Sequence, residues 1–228
     1  MPYAWMPGAR RIRAETDGGQ LKGGAPRAVW LTLGTAPCAV SIQSAAQRLV
    51  SERRPCHLVW DPVTGDIVQL ISILRAGRAL GAPERLDWGP DRVPAVPGNV
   101  NAEGRVCVQI GVLWHPADPF TNGPLAGLGA IVSWLDSWSV SRRWPAGQPA
   151  AYRAASANRV CDGAERSGVK WARGGHFGAS QVPGCENIGP GAVDIDRLTG
   201  THVLQVHPRP VPAAAPVPVP TAALPIPA

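Results

Sequence analysis

Residues Arg105–Leu113 (RVCVQIGVL) are apolar at almost every position and lack the alternation of a strand that shows one face to water. Such a run is satisfied only inside a sheet covered on both sides, so the chain must supply layers above and below it. Ala28–Leu33 (AVWLTL), bounded by Gly34 and Pro37, reads as a second buried strand. The covering layers are visible as helical stripes. Ser41–Val50 sets Ile42, Ala45, Ala46 and Leu49 at helical spacing behind a Ser41 N-cap, and Leu125–Trp138 carries Leu125, Leu128, Ile131, Val132 and Leu135 on one side. His57–Trp60, the breakers Asp61–Gly65 and Asp66–Ile73 predict a strand-turn-strand unit. Strands separated by helices predict an α/β domain with a mixed central β-sheet flanked by helices.

The two ends differ from this middle. Residues 1–25 are basic and Gly-rich and read as an extended arm; 26–200 form the domain; 201–228, dense in proline, read as a polyproline-like tail or docking arm. Eight of the chain's 25 prolines lie there. No apolar run approaches the roughly 20 residues that span a bilayer, and Met1–Arg13 lacks the apolar centre of a secretory signal, so neither a membrane-spanning nor an exported chain is expected. The net charge of +6 suits anionic partners. Its tight clusters are Arg10–Arg13, Arg53-Arg54 and Arg142-Arg143, without interleaved aromatics, and nucleic acid is not expected as a partner. Five cysteines without a CxxC pair predict mostly buried thiols, with Cys161 and Cys185 able to pair only if they are neighbours. Of the nine tryptophans, Trp30, Trp60, Trp134 and Trp138 fall at core-like positions. Trp5, Trp88 and Trp144 fall in loops, where they could present flat apolar surface.

Several words occur in an order that resembles the type-2 N-acetylmuramoyl-L-alanine amidases, the zinc amidase and peptidoglycan-recognition fold, in the form found in phage endolysins of actinobacterial hosts. The words are PCHLVWDPVTGDIVQLI at Pro55–Ile71 and GHFGASQVPGCENIGPGAVDIDRL at Gly175–Leu198, with RAGRAL (Arg75–Leu80), NVNAEGRVCVQIGV (Asn99–Val112) and WLDSWSV (Trp134–Val140) between them. The opening YAWMPGA (Tyr3–Ala9) is similar to the start of several phage lysins. The resemblance covers roughly 26–200 and implies the amidase-like mixed sheet.

It also implies a site. The family holds zinc with two histidines and a third ligand, and an acidic residue on a central strand assists the attack of water on the muramic acid–L-alanine amide. Carried over residue by residue, the first ligand falls on Leu31, the acidic residue on Gly111, the second ligand on Ala179 and the third on Gly189. None of these side chains donates an electron pair. A relocated site would draw on His176 and Cys185. His57, His115, His176 and Gln181 are the residues that could line or bind in the old groove, whereas His202 and His207 have no assigned role.

The function expected is that of a catalytically degenerate amidase-like protein, structural in a phage virion and attached to capsid or tail. Its arm and Pro-rich tail would dock on other virion proteins, peptidoglycan binding would persist as a secondary property, and no cofactor is required. Such a protein is made in the host cytoplasm without a signal peptide. The alternative is an active zinc-dependent amidase with relocated ligands.

Overall fold

The computed structural model describes residues 2–36, 38–81, 99–152, 167–185 and 189–200. The Pro-rich tail, Trp88, Cys161, His202 and His207 lie outside them. A six-stranded mixed sheet forms the centre, built from β1 (Arg10–Arg11), β2 (Arg27–Thr32), β3 (Leu58–Trp60), β4 (Ile67–Gln69), β5 (Cys107–Val112) and β6 (Gly175–Gly178) in the order β1-β4-β3-β5-β2-β6. Only the β3–β4 hairpin is antiparallel; β3, β5, β2 and β6 run parallel. Every residue of β2 and β5 is buried, as their near-continuous apolar sequences require.

Alternation divides the core into two faces. On one, Trp30, Leu58, Trp60, Val108, Ile110 and Val112 pack against Ile131, Trp134 and Leu135 of α2 (Leu128–Ser137) and Leu198 of α4 (Ile195–Thr199). On the other, Val29, Leu31, Val59 and Val68 meet Ile42, Ala45, Ala46 and Leu49 of α1 (Ile42–Ser51), together with Trp171 of α3 (Gly168–Ala172). The Ser41 hydroxyl accepts from the Ser44 N–H, capping α1 as its sequence predicts.

Two expectations shift. The helix foreseen from Leu125 begins at Leu128, because Leu125 and Gly127 are left-handed (φ 54° and 80°). This turn packs against the β3–β4 loop, where a Cβ on Gly127 would lie 2.8 Å from the Gly65 carbonyl oxygen. The N-terminal stretch, foreseen as an arm reaching to neighbours, is extended but lies along its own domain. Arg10 and Arg11 pair with Val68 and Gln69, Met6 is buried, and its N–H donates to Gln69 Oε1. The Tyr3 carbonyl accepts from the Trp134 and Trp138 indoles, and Asp17 accepts two hydrogen bonds from the Arg75 guanidinium at 2.8 and 2.9 Å. Among the described residues no helix is long and apolar enough to cross a membrane.

Deleting residues 1–13 therefore removes a sheet strand and the buried Met6 side chain, which alone is worth about 2 kcal/mol. Urea denaturation of the truncated chain is expected to show a lowered midpoint; an unchanged midpoint would mean that the segment does not stabilise the domain.

Candidate functional site

The parallel strands bring the four positions of the resemblance to one end of the sheet. Leu31 of β2 stands opposite Gly111 of β5 in the ladder. On the other side of β2, Trp30 pairs with Gly178, so the next residues in line are Leu31 and Ala179, where the chain leaves β6 in a 3-10 turn, Ala179–Gln181. Gly189 closes the group from behind, its carbonyl accepting from the Ser180 N–H at 2.9 Å. Four positions far apart in sequence thus converge, and the place is apolar. Leu31, Ala179 and Cys185 belong to the same buried cluster as α1. A Cβ added to Gly111 would meet Leu33 Cδ2 at 3.0 Å and Cys56 Sγ at 3.2 Å, so neighbouring side chains occupy the space an acidic residue would need.

Among the described residues the available donors do not gather there; Glu186 lies outside them. His176 lies on β6 with its side chain on the opposite face, stacked on Trp30 and tilted against Trp144; its Nδ1 accepts from Trp30 Nε1 at 3.0 Å. Cys185 is buried on the α1 face, so the proposed His176–Cys185 pair is separated by the sheet. Burial among rings pushes the His176 pKa down to about 4. Among the described residues there is no group of three or more His, Cys, Asp or Glu able to hold a metal ion. The side chains at Leu31, Gly111, Ala179 and Gly189 do not fit zinc.

The other groove residues fall in different places. His57 is 0% exposed and has both ring nitrogens engaged: Nδ1 accepts from the Gln109 N–H at 3.0 Å, and Nε2 donates to the Arg75 carbonyl at 2.9 Å. Its pKa is likewise pushed down to about 4 by burial. Gln181 is also internal, its Oε1 accepting from Trp144 Nε1 and the Gly178 N–H while Nε2 donates to the Gly147 carbonyl. That bond explains why Trp144, expected on the surface, is buried: its indole N–H needs an internal acceptor and finds one. Of the four, only His115 is exposed; it lies just beyond β5, edge-on to Tyr152, with Nδ1 accepting from the Ala117 N–H. Sequence reasoning missed Arg27, whose buried guanidinium stacks over Trp171 at 4.3 Å and donates from Nη2 to the Trp171 carbonyl. A lone arginine at a strand start carries no sequence mark of burial.

No protein-family model matches the chain, and no curated protein sequence matches it. Solved structures with a similar chain path include Staphylococcus aureus hydrolase AmiA in complex with its ligand, at 10% identity and TM-score 0.47, covering 85% of this chain and 80% of that one. They also include the endolysin N-acetylmuramoyl-L-alanine amidase LysCS from Clostridium intestinale, at 14% identity and TM-score 0.36, covering 60% of this chain and 78% of that one. The amidase LysC of the same organism gives 12% identity and TM-score 0.31, with 57% and 74% covered. The likeness is one of general architecture.

Two predictions follow from the packing. Restoring an acid by Gly111→Glu would bury a carboxylate against Leu33 and Cys56, with an expected loss of about 2–4 kcal/mol in urea denaturation; a stable variant would show that space remains. The two depressed histidines also make stability pH-dependent. Between about pH 6.5 and pH 4 the unfolded chain binds protons that the folded one refuses, so stability falls as pH falls through that window, by up to about 3 kcal/mol for each histidine. His57 and His176 imidazole resonances that titrate near pH 6.5 in the folded protein would refute this.

Proposed function

We propose that the chain is an amidase-like protein without amidase chemistry, carried as a structural component of a phage particle. The observation that supports it is the row Leu31, Gly111 and Ala179 with Gly189 behind. The fold assembles the positions at which the resembling family keeps its ligands and acid, and each holds a side chain that cannot ligate or transfer a proton. Leu33 and Cys56 crowd the position of the acid, where a Cβ on Gly111 would meet them at 3.0 and 3.2 Å. The relocated-zinc reading draws no support from the geometry, because His176 and Cys185 face opposite sides of the sheet.

The virion role rests on the resemblance to phage lysins and on the Pro-rich tail at 201–228, whose composition suits an extended docking segment. With residues 1–25 laid against their own domain, that tail is the stronger docking segment of the two. Exposed His115 beside Tyr152 is the remaining candidate from the groove set for residual peptidoglycan contact.

Three measurements test the reading. Metal analysis of the purified chain is expected to find no stoichiometric zinc, and cell walls incubated with it are expected to release no L-alanine-bearing peptides; chelator-sensitive release would establish an active amidase instead. Quantitative mass spectrometry of purified particles is expected to find the chain at a fixed copy number, and its absence from particles would remove the virion role.

A further inference from the structure

At the other end of the parallel strands lies a cleft of about 490 Å³ that the amidase resemblance does not use. Its wall carries Arg53 and Arg54, which follow α1 and precede β3, and Arg78, from the loop after β4. The Arg78 N–H donates to the Pro55 carbonyl at 2.8 Å, and this bond ties the two loops together beside the cleft. All three arginines are exposed, and none makes an ion pair with a described residue. Among the described residues the carboxylate on the rim is Asp17; it is hydrogen-bonded to Arg75, whose guanidinium, with a smaller contribution from Arg78, holds its pKa below the usual carboxylate range. Asn99 adds a donor. Its Oδ1 accepts from both the backbone N–H and the side chain of Asn101, which leaves its own Nδ2 uncommitted among the described residues.

A helix C-terminus tolerates basic residues through its dipole, which accounts for Arg53 and Arg54 singly. It does not account for Arg78, brought from another loop to the same cleft. Nor does it account for the cleft's low floor, where a Cβ on Gly77 would strike the buried Gln109 amide at 2.2 Å.

We infer that this cleft binds a small phosphorylated ligand carrying at least two negative charges. Planar guanidiniums match phosphate oxygens two at a time, and the volume exceeds what a single phosphate fills. The inference is independent of the proposed function, since it uses the opposite end of the sheet.

The test is calorimetric titration of the full chain with inorganic pyrophosphate at about 0.15 M ionic strength, where long-range surface attraction is screened. Orthophosphate serves as the smaller probe and sulfate as a control. Pyrophosphate is expected to bind more tightly than either, and R53Q/R54Q/R78Q to weaken it by about tenfold or more for each arginine lost. The exposed pair R10Q/R11Q, elsewhere on the sheet edge, should leave it unchanged. R53K/R54K/R78K, which keeps the charge and loses the fork, should bind more weakly than the parent. Absence of pyrophosphate binding, or equal losses in the triple and double variants, overturns the proposal. If the triple variant does not melt cooperatively, amide shift mapping on the unaltered chain decides: pyrophosphate-induced shifts centred on Arg53, Arg54, Arg78 and Asn99 support the site, and shifts centred elsewhere overturn it.

Discussion

In this sheet the imidazole of His57 does what a backbone carbonyl does elsewhere. The Gln109 N–H donates to His57 Nδ1, the His57 N–H donates back to the Gln109 carbonyl, and from there the β3–β5 ladder runs on as Leu58 opposite Ile110 and Val59 opposite Gly111. The far ring nitrogen holds the Arg75 carbonyl, and the Gln109 side chain holds the Ala79 N–H and Asn101. One buried polar junction thus fixes the register of the central strand and the two loops beside it. A buried hydrogen-bonded group tolerates no slip, because any shift leaves donors without acceptors in a place water does not reach.

Register then decides what the other end of the strands can be. Because Gly111 falls beside Leu31, and β6 runs on from the other side of β2, the positions onto which the resemblance carries the ligands and acid become neighbours whatever residues occupy them. Here they are occupied by residues that prefer burial. Leu31 and Ala179 join the apolar layer under α1, and the missing side chain at Gly111 admits Leu33 and Cys56. Burial raises the Cys56 thiol pKa to about 12, so it serves as a small hydrophobe and not as a nucleophile.

Much of this layout could be read from the sequence because the signals are local. The unbroken apolar runs at Ala28–Leu33 and Arg105–Leu113 could only be two-faced strands, and the Ser41 cap with its stripe could only be a helix over the sheet. What could not be read depends on contacts between segments. Leu33 and Cys56 meet at Gly111 only once β2, β3 and β5 are aligned. Gln181 becomes an internal bracket for Trp144 only after β6 has placed it, and the basic N-terminal residues look like a free arm until Gln69 supplies the acceptor that draws Met6 inward. The His176–Cys185 pairing failed for a related reason: closeness in sequence says nothing about which face of a sheet a side chain takes.

The sheet's two borders bear on how the domain can join anything larger. β1 is two residues long, both of them exposed arginines, and Arg11 lies over the Trp5 ring. At the far border every residue of β6 is buried, the His176 N–H is spent on the Arg143 carbonyl, and Gly178 sits under Pro149 and Pro190. One border is short and charged, the other roofed over, and neither offers a row of open backbone groups for a foreign strand to continue. A partner meeting either border would therefore have to be held by side chains, and surface substitution there could alter such a contact without disturbing the hydrogen bonds of the sheet.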